Sequence, residues 1–329
     1  MSTPTTARAI AATAPGPVGA ETSFVEIDLD LPALEPHDLL VEVRAVSVNP
    51  ADVKVRTSFD GGPRVLGFDA AGVVTAVGPD VTAFRVGDEV YYAGSPARPG
   101  SNATHQVVDE RIVGHKPTTL DFAEAAALPL TTITAWETLF ERMGLTADST
   151  GTLLVVAGAG GVGSMVVQLA RKLTGVTVIA TASRPESREW ALSLGAHRVV
   201  DHRELREQVS GVNWVFSPFS EGNVETYAEV MAIHGHVVAI DEPEGLDTLP
   251  LKSKSQTWTW ELMFTRPLFD PESTAQRDLL DETARLVDAG VLRTTMTRKL
   301  TPITPENLRA AHEAVEGSAM IGKIVVAAG

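Results

Sequence analysis

Leu153-Leu-Val-Val156-Ala-Gly158-Ala-Gly160-Gly-Val-Gly163 sets an unbroken apolar run directly before glycines in the pattern G-x-G-x-x-G. The apolar run predicts a strand buried on both faces of a parallel sheet. The segment after the glycines carries Val162, Val166, Leu169 and Leu173 at helical spacing. Gly158 permits a tight turn, Gly160 lets the backbone approach a pyrophosphate, and Gly163 lets the helix pack close to the strand. Gly161 and Val162 complete the loop, and the free N–H groups of the helix start suit phosphate oxygens. Glycines also mark ordinary turns, so the strand and helix on either side decide for a dinucleotide site.

Working outward, Val176-Thr-Val-Ile-Ala180 reads as a second strand, Pro185 suits a first helical turn, and Gly195 is placed to end that helix. Val199-Val200, Val212 to Phe216 and His236 to Ile240 bring the count to about five parallel strands alternating with helices. The middle third is therefore read as a doubly wound α/β sheet of the Rossmann kind. An NAD site places Asp or Glu near the end of the second strand, about 20 residues beyond the glycines. Here Ser183 and Arg184 stand there, with Arg188 one turn on. A hydroxyl and two guanidinium groups suit a 2′-phosphate, which selects NADP(H). The plainer alternative has both arginines on an exposed helix face, paired with Glu186 or Glu189.

The first third reads as β. Val41-Glu-Val-Arg44 alternates, Ala70 to Gly78 is a β-branched run, and Gly87-Asp-Glu-Val-Tyr-Tyr92 follows a turn. Such spacing predicts a barrel-like β domain. Phe122 to Leu128 is read as a helix that Pro129 ends, and Thr134 to Met143 as a second, with a domain boundary near 120–130. Gln276 to Ala289 predicts another helix, Thr304-Pro305-Glu306 caps a further one, and Lys323 to Ala327 is a last strand.

The 329 residues carry 27 basic and 42 acidic side chains, a formal charge of −15. That field repels polyphosphate backbones, so no nucleic-acid or anionic-membrane partner is expected. Cysteine is absent, which excludes disulfides, thiol nucleophiles and thiolate zinc sites. Met1 to Pro15 has no apolar core of a leader, and no run reaches membrane-spanning length, so a cytoplasmic protein is expected, disordered at most over its first few residues.

Further motifs run in order through the chain: Val48-Asn49-Pro50-Ala-Asp52 with Lys54 and Arg56, Leu66-Gly67-Phe68-Asp69-Ala-Ala-Gly72, Gly87-Asp88-Glu-Val, Ala125 to Ala135, Leu194-Gly195-Ala196 and Ile321-Gly322-Lys323. With the glycine loop they make the sequence resemble the medium-chain dehydrogenase/reductases, and among them the zinc-independent quinone oxidoreductase group. Arg98 to Asn102, Ala180 to Ser187 and Trp260 to Arg266 resemble proteins labelled "zinc-type alcohol dehydrogenase-like". The resemblance implies a GroES-like β-barrel catalytic domain from residues 1–128 and 268–329, a Rossmann NADP-binding domain over 129–267, and a homodimer through the Rossmann domains. It also implies that the last strand returns to the first domain.

In zinc-bearing relatives a Cys stands at the place of Asn49, a His at Phe68 and an acid at Asp69. Only Asp69 remains able to bind metal, and no metal is expected. The histidine pairs His197 with His202 and His234 with His236 match no metal position of the family. Without a Lewis acid the acceptor must carry its own electrophilicity, as quinones and α,β-unsaturated carbonyls do. The expected substrate is a small hydrophobic carbonyl or quinone.

Carried over by position, Asn49 is expected to donate to the substrate oxygen, or else to be an Asn-Pro turn residue. Lys54 is expected near the nicotinamide ribose, or else on the surface. One of Tyr91 and Tyr92 is expected to line the cleft, with Tyr92 the candidate. Thr134 is expected to contact the nicotinamide half and His202 the 2′-phosphate or adenine. The tryptophan-rich stretch Trp258 to Phe264 is read as core or as a roof over the substrate. An NADPH-binding sensor and an alcohol dehydrogenase are the competing readings.

Overall fold

The computed structural model describes residues 4–19, 23–317 and 319–329; Met1 to Thr3, where disorder is expected, lie outside them. The chain divides into two compact units, Met1–Leu130 with Phe264–Gly329, and Thr131–Met263.

The second unit holds a six-stranded parallel sheet in the order Arg198–Val200, Thr177–Thr181, Thr152–Val155, Val212–Ser217, Met231–Ala239 and Thr257–Trp260. The first strand of the chain's βαβ run lies at the centre, and the order reverses beside it, as in a Rossmann sheet. Leu154 lies between Ile179 and Val215 in register, and all three are buried. That explains the unbroken apolar run, because helices cover both faces. Five strands were expected, and the sixth is the tryptophan stretch. Thr257–Trp260 pairs with His236 to Ala239 at the sheet edge, with Trp258 half-buried and Trp260 exposed.

In the first unit Asp38–Ser47 is the organising strand. It pairs antiparallel with Asp69–Val77, His105–Asp109 and the C-terminal Lys323–Ala327. The last strand thus rejoins the β sheet across some 280 residues of chain, setting Val326 against Val46. Leu39, Val41, Val74, Val90, Ile324 and Val326 form the core.

Two local expectations are corrected. Pro129 does not end a helix but opens one, Pro129–Trp136, after the short helix Phe122–Ala126. Its missing N–H costs nothing in a first turn. The helix continues as a π-helical turn, Glu137–Arg142. Tyr91 and Tyr92 do not divide between inside and outside, because both faces of Glu89–Tyr92 are covered. Tyr91 donates to Leu280 O at 2.6 Å beneath the helix Ala275–Asp288. Tyr92 lies in the apolar core with its hydroxyl unpartnered among the described residues, and burial pushes its phenol far up. A phenol so placed does not line a cleft, and Tyr92 is removed as a catalytic candidate.

Thr304 caps the helix Pro305–Glu316 through its hydroxyl. That helix buries His312 with both ring nitrogens unpartnered among the described residues, its ring 4.9 Å from that of Phe24. Burial, with the Arg56 guanidinium, holds His312 down to about 3. Between pH 6.5 and 3 the unfolded chain therefore takes up a proton that the folded chain refuses, so stability falls as pH falls. The loss between pH 7 and pH 5 is about 2 kcal/mol. His312→Phe keeps an aromatic ring on Phe24 and is expected to flatten this limb of the curve, read by urea unfolding at the two pH values.

Among the described residues no helix is long and apolar enough to cross a membrane.

Candidate active site

In the Rossmann unit the loop between Thr152–Val155 and the helix Gly161–Leu173 is shaped by backbone contacts that leave no room for side chains. A Cβ on Gly163 would meet Ala157 O at 2.3 Å, and one on Gly158 would meet Ala180 Cβ at 2.6 Å. At Gly160 the nearest neighbour is Ala157 O at 3.4 Å, so its missing side chain leaves space above the loop. Ala157 takes a positive φ of 54° to make the turn. Gly160 caps the helix without any side-chain acceptor, so the N–H groups of Gly161, Val162 and Gly163 head a helix of 13 residues with the positive end of its dipole. This is a cradle that fits a pyrophosphate.

Thr181, not singled out in the sequence, ties this cradle to the neighbouring strand. Its hydroxyl accepts from Ala157 N at 2.9 Å and its carbonyl from Gly158 N at 3.1 Å. Beyond it, Ser183 and Arg184 are exposed just before the helix Pro185–Ser193. His202 is exposed just past Arg198–Val200. Ala182 N donates to Val200 O at 3.0 Å, so the two strand ends carrying these side chains are adjacent. Asp201, the acid beside His202, is taken up by Arg203, whose Nε and Nη2 donate to its two oxygens at 2.9 and 2.7 Å. Those bonds hold Asp201 well below the usual carboxylate range. The same sheet edge also links the ends of its fourth and fifth strands, where Asp241 accepts from Ser220 N and Oγ, both at 2.6 Å. The C-terminal ends of parallel strands are where such sheets bind ligands.

The β unit gathers Asn49, Asp52, Asp69 and Lys323 into one buried cluster. Lys323 Nζ donates to Asn49 Oδ1, to Asp69 Oδ2 at 3.1 Å and to Val48 O at 3.1 Å. Asn49 Nδ2 donates to Asp69 Oδ2 at 2.9 Å and to Ser47 O at 3.3 Å. Asp69 also accepts from Leu130 N at 2.7 Å. Burial pushes Asp69 up, against Lys323 and these hydrogen bonds. Asp52 caps the helix Pro50–Ser58 by accepting from Asn49 N at 2.8 Å. Its Oδ1 has no partner among the described residues, and burial pushes it up to about 7. One ammonium thus faces two carboxyl groups, and the less well-bonded one takes up a proton near neutrality.

Asn49 was expected to donate to substrate. It is 1% exposed with both amide hydrogens engaged and its oxygen on Lys323, so it orders the cluster instead. Lys54 stands exposed on the helix that Asn49 caps, away from the buried groups. Thr134 is buried within Pro129–Trp136, in mid-helix rather than at its start. Lys323 escaped sequence reasoning as a site residue, because nothing local to Gly322-Lys323 points to an acid 254 residues away.

The residues at the family's metal positions do not fit a zinc ion. Asn49 and Asp69 are bonded to an ammonium, and Phe68 presents a ring that packs tilted against Phe264, centroids 4.6 Å apart. No thiolate exists in the chain. Of the other histidines, His197 accepts from Val178 N and His236 pairs with Thr259. Among the described residues no three His, Cys, Asp or Glu side chains converge to hold a metal.

The alcohol dehydrogenase GroES-like domain model matches residues 35–134, and the zinc-binding dehydrogenase model matches residues 161–264. A zinc-type alcohol dehydrogenase-like protein of Staphylococcus aureus (strain COL) is 42% identical over 309 residues, 90% of this chain and 92% of its own. A Rhizobium etli CFN 42 protein, provisionally described as a zinc-dependent alcohol dehydrogenase, has a crystal structure that superposes with a TM-score of 0.93 at 48% identity, covering 98% of each chain. The NADPH-dependent alkenal/one oxidoreductase of Arabidopsis thaliana is 37% identical over 196 residues, 56% of this chain and 50% of its own. With a GroES-like β unit, a Rossmann sheet and its dinucleotide loop in one chain, the protein belongs to the medium-chain dehydrogenase/reductase family of NAD(P)-binding oxidoreductases.

Proposed function

We propose that this oxidoreductase is a cytoplasmic, zinc-independent reductase that uses NADPH to reduce quinones or α,β-unsaturated carbonyls. The observation that carries the reading is the buried Lys323 ammonium bonded to Asn49 and Asp69. The two polar groups at the family's metal positions are consumed by a cation of the chain itself. A simple ketone needs its oxygen polarised before hydride arrives. A quinone or enone spreads the arriving charge over its own conjugated system, and needs orientation and a dry surface more than a Lewis acid.

The glycine loop would hold the pyrophosphate, and Ser183, Arg184 and His202 would hold the 2′-phosphate, with Asp201 masked by Arg203. When bound, NADPH supplies the hydride. The Arabidopsis relative, named for NADPH and for alkenals and enones, supports both choices. A homodimer is proposed through the edge strand Thr257–Trp260, which has a strand neighbour on one side only among the described residues and beside which Trp260 and Leu262 are exposed.

A second reading, an NADPH-binding sensor with little turnover, is favoured by one observation: every hydrogen of the Asn49 amide is engaged inside the protein. Initial rates separate the two. Oxidation of NADPH with a quinone and with a simple enone is expected, at least about tenfold more efficient than with NADH, given the worth of one charge-assisted phosphate contact. A saturated ketone is expected to be inert. NADPH binding without turnover selects the sensor, and turnover of the ketone contradicts the substrate class.

A further inference from the structure

The glycine loop, the end of its neighbouring strand and the next strand end form one hydrogen-bonded chain, and Arg188 closes it. Arg188 was expected to bind the 2′-phosphate. Instead its Nη1 donates to Ala182 O at 3.1 Å and its Nη2 to Val199 O at 2.8 Å. These carbonyls belong to the two neighbouring strand ends, one immediately before Ser183 and the other three residues before His202. The guanidinium sits half-buried, and its own backbone N–H is fixed on Arg184 O at 3.0 Å. Ser187 holds the Arg184 backbone from both sides, its hydroxyl donating to Arg184 O at 2.9 Å and accepting from Arg184 N at 3.2 Å.

We infer that Arg188 is a positioning residue for the adenosine end of the cofactor and not a phosphate ligand. It spans two carbonyls with a planar fork whose fixed spacing the compact ammonium of a lysine does not reproduce at this site. Through Ala182 it sets the exit of Ser183 and Arg184, and through Val199 it sets the exit of Asp201 and His202. The same Ala182 segment continues from Thr181, whose bonds shape the glycine loop. Arg188 therefore acts on dinucleotide affinity as a whole, with or without the 2′-phosphate. The inference rests on the proposed dinucleotide function only for its readout, since the two hydrogen bonds stand apart from the choice of NADPH.

The test compares Arg188→Lys with Arg188→Gln in the full-length protein. Dissociation constants for NADPH and for NADH, kcat at saturating cofactor, and amide hydrogen exchange over residues 182–184 and 199–202 are measured. Expected are at least about a tenfold weakening of both cofactors in both variants, the worth of one to two hydrogen bonds. An unchanged kcat and faster exchange confined to the two strand ends are also expected. Three results overturn it. The first is wild-type affinity retained by the lysine variant and lost by the glutamine variant, since charge alone would then suffice. The second is weaker NADPH binding with NADH binding and exchange unchanged, since that marks a direct phosphate ligand. Wild-type affinity in both variants removes any role. Should wild-type protein prefer NADH, the NADPH proposal fails, while the exchange data and NADH constants still decide the role of Arg188.

Discussion

Gly163→Ala is expected to lower dinucleotide affinity by about a hundredfold or more, through loss of about two charge-assisted hydrogen bonds to phosphate. The added methyl would stand 2.3 Å from Ala157 O, 2.9 Å from Gly158 Cα and 3.0 Å from Ala157 C. All three are backbone atoms of the loop itself, so no side chain can swing away. The start of Gly161–Leu173 must move off the strand, and its N–H groups then no longer converge. Overpacking of this kind also costs about 1 to 3 kcal/mol of stability. Gly160→Ala is the informative contrast, because its methyl meets only Ala157 O at 3.4 Å. That variant is expected to keep its melting temperature yet lose affinity, since the methyl enters the space a pyrophosphate needs. Isothermal titration with NADPH beside thermal melts checks both. Equal affinity in wild type and Gly163→Ala would mean the loop is only a turn.

Lys323→Met is expected to be the most destabilising single change in the β unit. Removing one partner of a buried ion pair costs about 3 to 5 kcal/mol, because the other charge stays buried without compensation. Here Asp69, 0% exposed, would keep its bonds from Asn49 and Leu130 and lose the cation it pairs with. Its pKa, already raised by burial, would rise further. A carboxyl group whose folded pKa exceeds its unfolded value loses stability as pH rises, so the defect should be deeper at pH 8 than at pH 5. Adding Asp69→Asn to Lys323→Met should recover much of the loss, since the carboxylate left without its cation is then removed too and Asp52, raised to about 7, is the remaining acid of the cluster. Urea unfolding of the wild type and the two variants at both pH values measures this. A loss under about 1 kcal/mol with no pH dependence, the size of an exposed pair, would show that the cluster is open to water.

How much was legible depended on the range of the signal. The central strands of the Rossmann sheet are apolar on both faces, and the glycines between strand and helix have a purely local cause, so both could be read directly. Thr257–Trp260 escaped as a strand because it lies at the sheet edge and mixes Thr with half-exposed Trp. The two tyrosines misled because period-two alternation assumes one solvated face, and the helix Ala275–Asp288, far along the chain, covers the second. Pro129 was read as a stop because its position within the first turn depends on where the preceding helix ends. In the site, Lys323 and Arg188 share one reason for being missed or misassigned: their partners are carbonyls and acids on other strands, and no residue-type pattern records them. Asn49 is the converse, a polar residue at a functional position whose hydrogen bonds are all satisfied within the fold.

The most direct test of metal-free reduction is to measure turnover and metal content on one sample. Protein treated with a strong chelator and freed of it by gel filtration is assayed for NADPH oxidation with an enone, and its zinc is counted by mass spectrometry. The predicted result is an undiminished rate with zinc far below one per chain. A rate that falls with the zinc and returns when zinc is added would contradict the account, since the ammonium of Lys323 would then not stand in place of a metal.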